Sequence, residues 1–388
     1  MTKILFINYD MHYGGAQRVL VNLLRELSNL PQLEITLFLV RYEGVFLKEV
    51  PFGVRIICWT YPMKKSLHEK KYNEILKRGL SILTAKTLGT EKLCYLIRKF
   101  YLSQHYDTEI AVKEGISKVM LAKSQDPSSK KVFWIHTDLR AFSGDQSKDD
   151  VYYANGDNII CVSEKVKEGF VQLYPTLADK VKVINNIIHI EDIQRKGDMG
   201  KDPYKHDALN VVNLGRLSKE KAQDRLIRAH KEILDDGLHH YLHIVGEGDE
   251  RPHLESLILQ LGVGNTVTLW GGQSNPYPYL KHGDIYIHSS VNEGLPTVLF
   301  EGIALHRPIV STRVSGVKEV LKDGLYGLIV ENTYEDLKEG YRKILTDELL
   351  RSRLIEDTKE YKGNNQENLD QFLKIVCKAE DYYGIQNR

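Results

Sequence analysis

The order of apolar and polar positions divides the first half of the chain into short strands and amphipathic helices. KILFINYD (3–10) has the pattern of a buried strand and runs into the glycine turn MHYGGA. Residues 16–30 then place apolar side chains on one face of a helix. Further strands are predicted at 34–40, 54–59, 131–138, 158–163 and 180–188, with a helix at 164–174. Strands that alternate with helices indicate a parallel sheet with helices on both faces.

The same alternation restarts after a polar stretch at 189–208. Strands are predicted at 209–217, 241–248, 266–272, 284–290, 308–312 and 327–330, and helices at 219–236, 250–261, 276–282, 296–305 and 316–322. The sequence therefore predicts an α/β fold of two doubly wound, Rossmann-like domains facing across a cleft, with ligands at the carboxyl ends of the strands. The predicted domains are 1–190 and 208–360, joined by a linker at 191–207. A C-terminal helix at 361–388 can cross back to the first domain.

Composition narrows the classes of function. The 388 residues suffice for two domains, and 53 Lys and Arg against 52 Asp and Glu leave no net charge that favours a nucleic-acid partner. The four cysteines show no pairing pattern and no CxxC, which argues against disulfides and zinc and favours a reducing cytoplasm. No segment approaches ~18 uninterrupted apolar residues, and the N-terminal run is too short for a signal peptide. We expect a cytoplasmic protein that at most lies on a membrane surface.

Glycines and charged residues gather where the predicted strands of the first half end. Gly14, Gly15 and Arg18 follow the first strand, where paired glycines can open the backbone to a phosphate or a sugar. Glycine turns are common after strands, and the pattern lacks the GxGxxG of dinucleotide oxidoreductases. His136 lies at the end of the strand KVFWIHTD, where a histidine serves either as a structural hydrogen-bonding group or in catalysis.

The strand ends of the second half carry cations and further glycines. Arg216 and Lys221 come at the end of the strand at 209–217, and a guanidinium with an ammonium suits the charge of a diphosphate. A solvated basic turn is the alternative. Glycine pairs follow the next two strands, at Gly246 and Gly248 and at Gly271 and Gly272. Close approach of a ligand to these glycines would leave a slot for a flat base.

The stretch NEGLPTVLFEGIA (292–304) carries two acids, Glu293 and Glu301, around the start of a predicted helix. Between them lie Gly294, Leu295, Pro296, Thr297 and Val298. Proline suits the first turn of a helix, and the free N–H groups and positive dipole of a helix start bind anions. A diphosphate there would have an acid near hydroxyl groups on each side, which is the shape of a nucleotide-sugar. The alternative is a loop acid and a solvated helix acid without a common ligand.

These residues resemble a known family. Residues 284–321 resemble the signature region of family 4 retaining glycosyltransferases, which have the GT-B fold, and Glu293 and Glu301 match its E-x7-E motif. LGRLSKEKAQDRLIRA (214–229) resembles the family's diphosphate motif, GGAQR (14–18) its glycine loop, and GGQSNPYPYL (271–280) its base-binding loop. Asn186 in VKVINN matches the Asn before the family's linker. Two positions depart from the family by lacking a common glycine, Ile187 and Ala222.

The resemblance implies transfer of a hexose or N-acetylhexosamine from a nucleotide diphosphate donor, most often UDP-linked, with retention at the anomeric carbon. Arg216 and Lys221 would stabilise the leaving diphosphate together with the helix start at 295–298. Glu293 would position hydroxyl groups of the sugar and Glu301 the ribose.

On the first domain, the resemblance implies that His136 contacts the sugar and that Gly15 flanks the diphosphate. The nucleotide-sugar is a co-substrate, so no cofactor is expected. GT-B enzymes typically need no metal, and the chain contains no DxD motif.

The segment 62–103 bears on the acceptor, because it holds ten Lys and Arg against three Glu. On its last helix Leu93, Leu96, Ile97, Phe100 and Tyr101 share one face, surrounded by Lys92, Arg98 and Lys99. This pattern suits a peripheral contact with an anionic membrane, and equally an ordinary amphipathic helix with a solvated basic face. With the membrane, the acceptor would be a lipid-linked or surface glycan of a bacterial pathway.

Two other functions are left open by the sequence. A nucleotide-sugar hydrolase or epimerase of the same fold would leave the basic segment without a purpose. A non-catalytic glycosyltransferase-like subunit would be expected to lose the donor residues, yet Arg216, Lys221, Glu293 and Glu301 are all present. A transferase is therefore the prediction.

Overall fold

The computed structural model describes residues 1–12, 14–60, 89–141, 146–204 and 208–386. The chain forms two compact units. The first contains Met1–Ile187 and Asn364–Arg388, and the second contains Ile188–Gly363. Each unit has its own parallel sheet and its own core.

The first unit is built on a seven-stranded sheet in which every strand pair is parallel, in the order β3-β2-β1-β4-β5-β6-β7. The strands are β1 Thr2–Asn8, β2 Leu33–Arg41, β3 Arg55–Thr60, β4 Thr108–Ala111, β5 Lys130–Ile135, β6 Asn158–Cys161 and β7 Val181–Val183. The helices between them are α1 Gly15–Ser28, α2 Thr90–Tyr101, α3 Ile116–Ala122, α4 Asp149–Ala154 and α5 Glu164–Leu173. The order of strands reverses between β1 and β4.

The second unit has a six-stranded parallel sheet in the order β10-β9-β8-β11-β12-β13. Its strands are β8 Asn210–Leu214, β9 Tyr241–Val245, β10 Val267–Gly271, β11 Ile285–His288, β12 Ile309–Thr312 and β13 Leu328–Val330. Its helices are α6 Ile190–Asp198, α7 Gln223–Asp235, α8 Arg251–Leu261, α9 Tyr277–His282, α10 Thr297–Ala304, α11 Val317–Val320, α12 Tyr334–Thr346 and α13 Glu348–Lys359. The predicted α/β class is confirmed.

The two central strands of the second sheet are buried on both faces, as is usual for a parallel sheet that is covered by helices on both sides. Val211 in β8 and Ile287 in β11 are fully buried. Strand order reverses between these two strands, so the loops that follow them diverge at one point of the sheet edge. Among the described helices, none is long and apolar enough to cross a bilayer.

The stretch 191–207, predicted as a linker, instead contains most of the helix α6, and this corrects the prediction. The helix packs on α9 and α10 of the second unit. Gln194 donates from Nε2 to Ala304 O at 3.0 Å, and Asn275 donates from Nδ2 to Lys196 O at 2.8 Å. Ile193 supplies the buried side chain. The sequence suggested a linker because polar residues outnumber the apolar ones that hold this helix.

The helix predicted at 219–236 is also interrupted. A 3₁₀ turn covers Lys219–Lys221, and α7 begins only at Gln223. Ala222 between them has a left-handed backbone, with φ of 49° and ψ of 45°. A single left-handed residue ends one helical segment and redirects the chain into the next.

The C-terminal segment belongs to the first unit and forms the helices α14 Asn365–Val376 and α15 Ala379–Gln386. The ring of Phe372 stacks on Phe6 with centroids 6.4 Å apart. The hydroxyl of Thr108 donates to Val376 O at 2.7 Å, and Lys130 donates from Nζ to Ile375 O at 2.7 Å. These hydrogen bonds join α14 to the first residues of β4 and β5.

Candidate functional site

The loops that follow β8 and β11 meet where strand order reverses in the second sheet. Two hydrogen bonds join them. The N–H of Val291 donates to Glu220 O at 2.8 Å, and the hydroxyl of Ser289 donates to Lys221 O at 2.9 Å. Lys221 and Glu293, 72 residues apart in the sequence, thereby become neighbours, and their side chains form an ion pair.

The carboxylate of Glu293 is held by one of its two oxygens. Oε1 accepts from the ammonium of Lys221, from the hydroxyl of Ser290 at 2.7 Å and from Nε2 of His288 at 3.1 Å. No described residue donates a hydrogen bond to Oε2. The side chain is 13% exposed, so the second oxygen is free to accept from a ligand.

The environment of Glu293 keeps its carboxyl group ionised. Burial alone would raise its pKa, but the positive charge of Lys221 and the hydrogen bond from His288 outweigh burial and hold the pKa well below the usual range. An ionised carboxylate can only accept hydrogen bonds. Glu293 therefore suits the binding of hydroxyl groups rather than the donation of a proton.

His288 was not singled out by the sequence analysis, although the polar HSS at the end of an otherwise apolar strand is a signal that could have found it. The side chain is buried at the end of β11. Its Nδ1 lies 2.9 Å from the hydroxyl of Ser311 on β12, while Nε2 faces Glu293. Burial lowers the pKa of His288 despite the raising effect of Glu293, so the imidazole is neutral at neutral pH.

Arg225 on α7 is a second residue that the sequence analysis missed. Its guanidinium donates to Ser289 O at 2.6 Å from Nη2, to Ser290 O at 3.0 Å, and to Oδ1 of Asn332 at 2.8 Å. It lies four residues after Lys221, beyond the left-handed Ala222 that separates the 3₁₀ turn from α7, and it binds the backbone just before Glu293. The spacing of four residues between two cations was the available signal.

Arg216, the other predicted cation, is not brought into contact with Glu293. Its guanidinium is 62% exposed and pairs with Glu220 at 2.6 Å. Its carbonyl accepts from Nε2 of Gln223 at 3.0 Å. The structure thus places Lys221 inside the candidate site and leaves the side chain of Arg216 at the surface of the same loop.

The helix predicted after Glu293 is α10, which begins at Thr297 directly after Pro296. Gly294, Leu295 and Pro296 are buried, and Thr297 and Val298 in the first turn are half-buried. The positive end of this helix therefore follows Glu293 within a few residues of the chain, and the Glu293 carboxylate is paired with the ammonium of Lys221.

Glu301 is the fifth residue of α10. It is half-buried, and the hydroxyl of Tyr277 lies 3.4 Å from its Oε1. The two acids of the predicted motif thus flank the start of one helix, one before it and the other a turn inside it.

Gly246 and Gly248 are required by the packing of the protein's own backbone. A Cβ at Gly246 would lie 1.8 Å from Gly215 O, and a Cβ at Gly248 would lie 2.2 Å from Leu217 O. At these two glycines the loops after β8 and β9 approach each other closely. The predicted approach of a ligand to Gly246 and Gly248 stays a prediction.

Gly271 and Gly272 lie at the end of β10. Gly271 has a φ of +73°, which only glycine adopts readily, and its carbonyl accepts from Gly246 N–H at 3.0 Å. Gly272 is exposed. A Cβ at Gly271 would lie 3.5 Å from its nearest neighbours, and the predicted approach of a base to this pair stays a prediction.

In the first unit, the predicted glycine loop and its arginine behave differently. Gly14 and Gly15 are exposed at the start of α1. Arg18 pairs with Glu49 at 2.6 Å, and its guanidinium lies 4.3 Å from the ring centre of Phe46. The charge of Arg18 is therefore paired with a carboxylate within its own unit, and its predicted contact with the donor stays a prediction.

His136 directly follows β5, as predicted. Its N–H donates to Oε1 of Glu114 at 2.9 Å, and the N–H of Thr137 donates to the same oxygen at 3.1 Å. Burial and the nearby charge of Lys113 lower the pKa of His136 to about 3, so its imidazole is neutral. Its Nε2 is buried and has no hydrogen-bond partner among the described residues.

The helix α2 departs from its predicted pattern. Ile97, predicted on an outer apolar face, is buried, and Arg98 is buried in an ion pair with Glu109 at 2.7 Å. Leu96 and Phe100 are exposed, Phe100 by 72%. The predicted single face is thus divided between core and surface, because the ion pair draws Arg98 inward. The basic residues of the segment between positions 62 and 88 lie outside the described residues.

Residues 195–361 match the family model described as glycosyl transferases group 1. An N-acetylgalactosamine-N,N'-diacetylbacillosaminyl-diphospho-undecaprenol 4-alpha-N-acetylgalactosaminyltransferase of Campylobacter jejuni is 28% identical over 97% of each chain. A lipopolysaccharide core biosynthesis glycosyltransferase of Rhizobium meliloti is 32% identical over 53% of this chain and 58% of its own length.

Solved structures share the fold. HepE of Anabaena, in complex with UDP and glucose, has a TM-score of 0.72 at 18% identity and covers 96% of this chain and 99% of its own. TarM of S. aureus, in a complex that contains UDP, has a TM-score of 0.74 at 14% identity and covers 97% of this chain and 100% of its own. The fold is of the GT-B type, as predicted, and the comparisons together support a glycosyltransferase.

Proposed function

We propose that this protein is a family 4 retaining glycosyltransferase that transfers a hexose or N-acetylhexosamine from a UDP-sugar to a glycan. The observation that carries the proposal is the carboxylate of Glu293, which is held through Oε1 and leaves Oε2 free beside an ammonium and a helix start. A sugar joined to a diphosphate matches this arrangement, because its hydroxyl groups can donate to the carboxylate and the negative diphosphate can bind the ammonium and the helix start.

In this reaction the bond between the anomeric carbon and the phosphate oxygen breaks, and its electron pair goes to the diphosphate. The ammonium of Lys221 and the N–H groups at the start of α10 stabilise that charge. The acceptor hydroxyl bonds to the anomeric carbon on the face that the diphosphate leaves, and its proton passes to the leaving phosphate oxygen. No metal and no further general base is invoked.

Arg216 joins the diphosphate by leaving Glu220. The two side chains form an exposed ion pair at 62% and 40% exposure, a type of contact worth only about 0–1 kcal/mol, so its exchange for a phosphate costs little. Glu301 would bind the ribose, His136 the sugar, and Gly15 the diphosphate, as the resemblance implies.

The names of the relatives support the donor and the acceptor. Two structural neighbours contain UDP, and one of them contains glucose. The Campylobacter relative is named for a diphospho-undecaprenol acceptor. We therefore propose UDP as the nucleotide and a lipid-linked or surface polysaccharide as the acceptor.

The test is calorimetric binding of UDP, GDP, ADP and a panel of UDP-sugars to the full chain. We expect one UDP-sugar to bind, Arg216→Ala to abolish or strongly weaken binding, and Glu293→Ala to weaken the UDP-sugar more than UDP. Lys231→Ala is the matched control, because Lys231 forms the same kind of surface pair with Asp235.

Two other outcomes, one of this experiment and one of a turnover assay with the UDP-sugar alone, point elsewhere. Absence of nucleotide binding by the wild type would contradict the proposal and favour a non-catalytic subunit. Release of free sugar at full rate without any acceptor would favour a hydrolase.

The membrane contact is part of the proposal, with the protein on the cytoplasmic face. Phe100 and Leu96 project from α2 beside the exposed Lys92 and Lys99, which supports contact with an anionic leaflet. Six basic residues can be replaced together by Gln: Lys64, Lys65, Lys70, Lys71, Lys77 and Arg78. The replacement should weaken binding of the protein to phosphatidylglycerol vesicles but not to phosphatidylcholine vesicles. Unchanged binding to both would contradict this part.

A further inference from the structure

We propose that His288 is the residue that positions the sugar-binding carboxylate of Glu293, and that Ser311 holds the imidazole ring from the opposite side. The inference rests on the proposed function, because it assigns a purpose to the side chain behind Glu293.

The imidazole is held at both of its nitrogen atoms. His288 ends β11, and its side chain is 3% exposed. Nε2 lies 3.1 Å from Oε1 of Glu293, and Nδ1 lies 2.9 Å from the hydroxyl oxygen of Ser311 on the neighbouring strand. Any rotation of the ring breaks both contacts, so the carboxylate is joined through the ring to the sheet.

The tautomer follows from the partners. A neutral imidazole has one N–H, and burial keeps this ring neutral. The carboxylate of Glu293 can only accept, so the ring holds it with the hydrogen on Nε2. Ser290 Oγ lies 2.9 Å from the same Nε2 and also donates to Glu293, while Ser311 Oγ lies 2.9 Å from Nδ1 and donates to Thr312 O at 3.1 Å.

The charged groups that face His288 come from three elements. Glu293 lies on the loop after its own strand, Lys221 on the 3₁₀ turn, and Arg225 on α7. Both cations disfavour a charge on the imidazole, while the carboxylate favours it. In these surroundings the imidazole stays neutral and acts as a hydrogen-bond donor to Glu293.

A neutral donor matters because Lys221 has two tasks in the proposed reaction. It holds Oε1 of Glu293 in this structure, and it must also reach the diphosphate. When it turns to the diphosphate, His288 and the hydroxyl of Ser290 continue to hold Oε1. Oε2 then keeps its direction toward the sugar.

The experiment compares binding of UDP with binding of the UDP-sugar that binds most tightly, using the full chain. His288→Leu should weaken UDP-sugar binding or lower kcat by at least about tenfold, because a loosely held carboxylate is misplaced by a fraction of an ångström. Its affinity for UDP should stay within about twofold of the wild type, since UDP carries no group for Glu293. His288→Gln should recover most of the loss, because its amide N–H can replace Nε2–H.

A double-mutant cycle identifies the path of the effect. In the Glu293→Ala background, His288→Leu should cause no further loss, because the group that it positions is gone. Ser311→Ala reaches the same ring from the other side and should give a smaller loss of the same kind. If His288→Leu does not fold, Ser311→Ala provides the same comparison of UDP-sugar binding with UDP binding.

Three results would overturn the inference. His288→Leu could weaken UDP and UDP-sugar equally, which is the sign of a structural role. It could leave UDP-sugar binding and kcat unchanged. Its loss could add in full to that of Glu293→Ala. Failure of the wild type to bind either ligand would instead overturn the proposed function, and the inference with it.

Discussion

Arg225 acts on the candidate site without facing a ligand. The carbonyl groups of Ser289 and Ser290 lie just beyond the end of β11, where the strand ladder no longer supplies donors. One planar guanidinium reaches both of them and Asn332 at once. The geometry of the Glu293 loop therefore depends on a side chain from a different element, and on its fork of fixed donors in particular.

Replacing Arg225 by Gln should loosen this loop. Carbonyl groups that lose their donor cost about 1–3 kcal/mol each when they stay buried, so thermal unfolding should begin several degrees lower. UDP-sugar binding should weaken in parallel. Arg228→Gln is the control, because Arg228 lies on the same helix and is exposed. Equal effects of the two changes would contradict the role given to Arg225.

A second group of residues concerns stability rather than the site. His230 and His240 are buried in the second unit. His240 Nε2 lies 2.8 Å from His230 Nδ1 and also 2.8 Å from the hydroxyl oxygen of Tyr341. Burial lowers the pKa of His230 to about 2 and that of His240 to about 4. Both rings are therefore neutral partners in a core network.

Acid should destabilise the protein through these rings. Between pH 6.5 and about 4, the unfolded chain takes up a proton at position 240 and the folded chain does not, so stability falls as the pH falls. The expected loss is about 1.4 kcal/mol per pH unit for that ring. His240→Asn should lower the unfolding midpoint at pH 7.5 yet flatten its decline toward pH 5. His239→Asn, at an exposed neighbour, should change neither.

At the scale of elements, the turn that presents Lys221 depends on the backbone of Ala222. A left-handed conformation costs an L-residue about 1–2 kcal/mol, and glycine avoids the cost. The ammonium of Lys221 reaches Glu293 because the 3₁₀ turn ends here and α7 starts in a new direction. Alanine is tolerated at this left-handed position because its side chain is small.

Glycine at this position should not destabilise the protein. We expect Ala222→Gly to leave the unfolding midpoint unchanged or slightly higher, because relief of strain offsets the entropy of glycine. Ala222→Val should lower stability by about 2 kcal/mol or more, since a β-branched residue resists a positive φ. Ala229→Gly within α7 should cost about 1 kcal/mol and serves as the control. A lower midpoint for Ala222→Gly than for Ala229→Gly would refute this account.

Most elements of the second unit could be predicted because their apolar periods are regular. The strand predicted at 284–290 is β11, and the helix predicted at 296–305 is α10. Strand β4, by contrast, was not predicted. Its TEIA contains Glu109, which is buried only because Arg98 pairs with it from α2. A charge that is neutralised by a distant residue has no local signal.

At the scale of the whole molecule, the chain begins and ends in the same unit. Phe372 of α14 is 2% exposed and lies between the rings of Phe6 and Trp134, with centroids at 6.4 and 5.9 Å. The first sheet is thereby completed by residues that follow the second unit in the sequence. The first unit cannot reach its full stability until α14 has been made.

Shortening this ring should affect one unit selectively. Phe372→Ala should cost about 3–5 kcal/mol, as expected for a buried phenylalanine, and should change the fluorescence of Trp134 on unfolding. Binding of UDP by the second unit should persist under mild conditions. Tyr383→Ala on α15, at a site 64% exposed, is the control and should have little effect. Equal destabilisation of both variants would argue against the role of α14.

The sequence by itself determined the α/β class, the two halves and the residues Lys221, Glu293 and Glu301, because apolar periods, glycines and charges at strand ends are local properties of the chain. Only the tertiary structure decided that Lys221 meets Glu293, that His288 stands behind it, and that Arg18 is neutralised by Glu49. The physical reason is that hydrogen bonds and ion pairs join residues far apart in sequence. Their energies depend on burial and direction, which exist only once the sheets have formed.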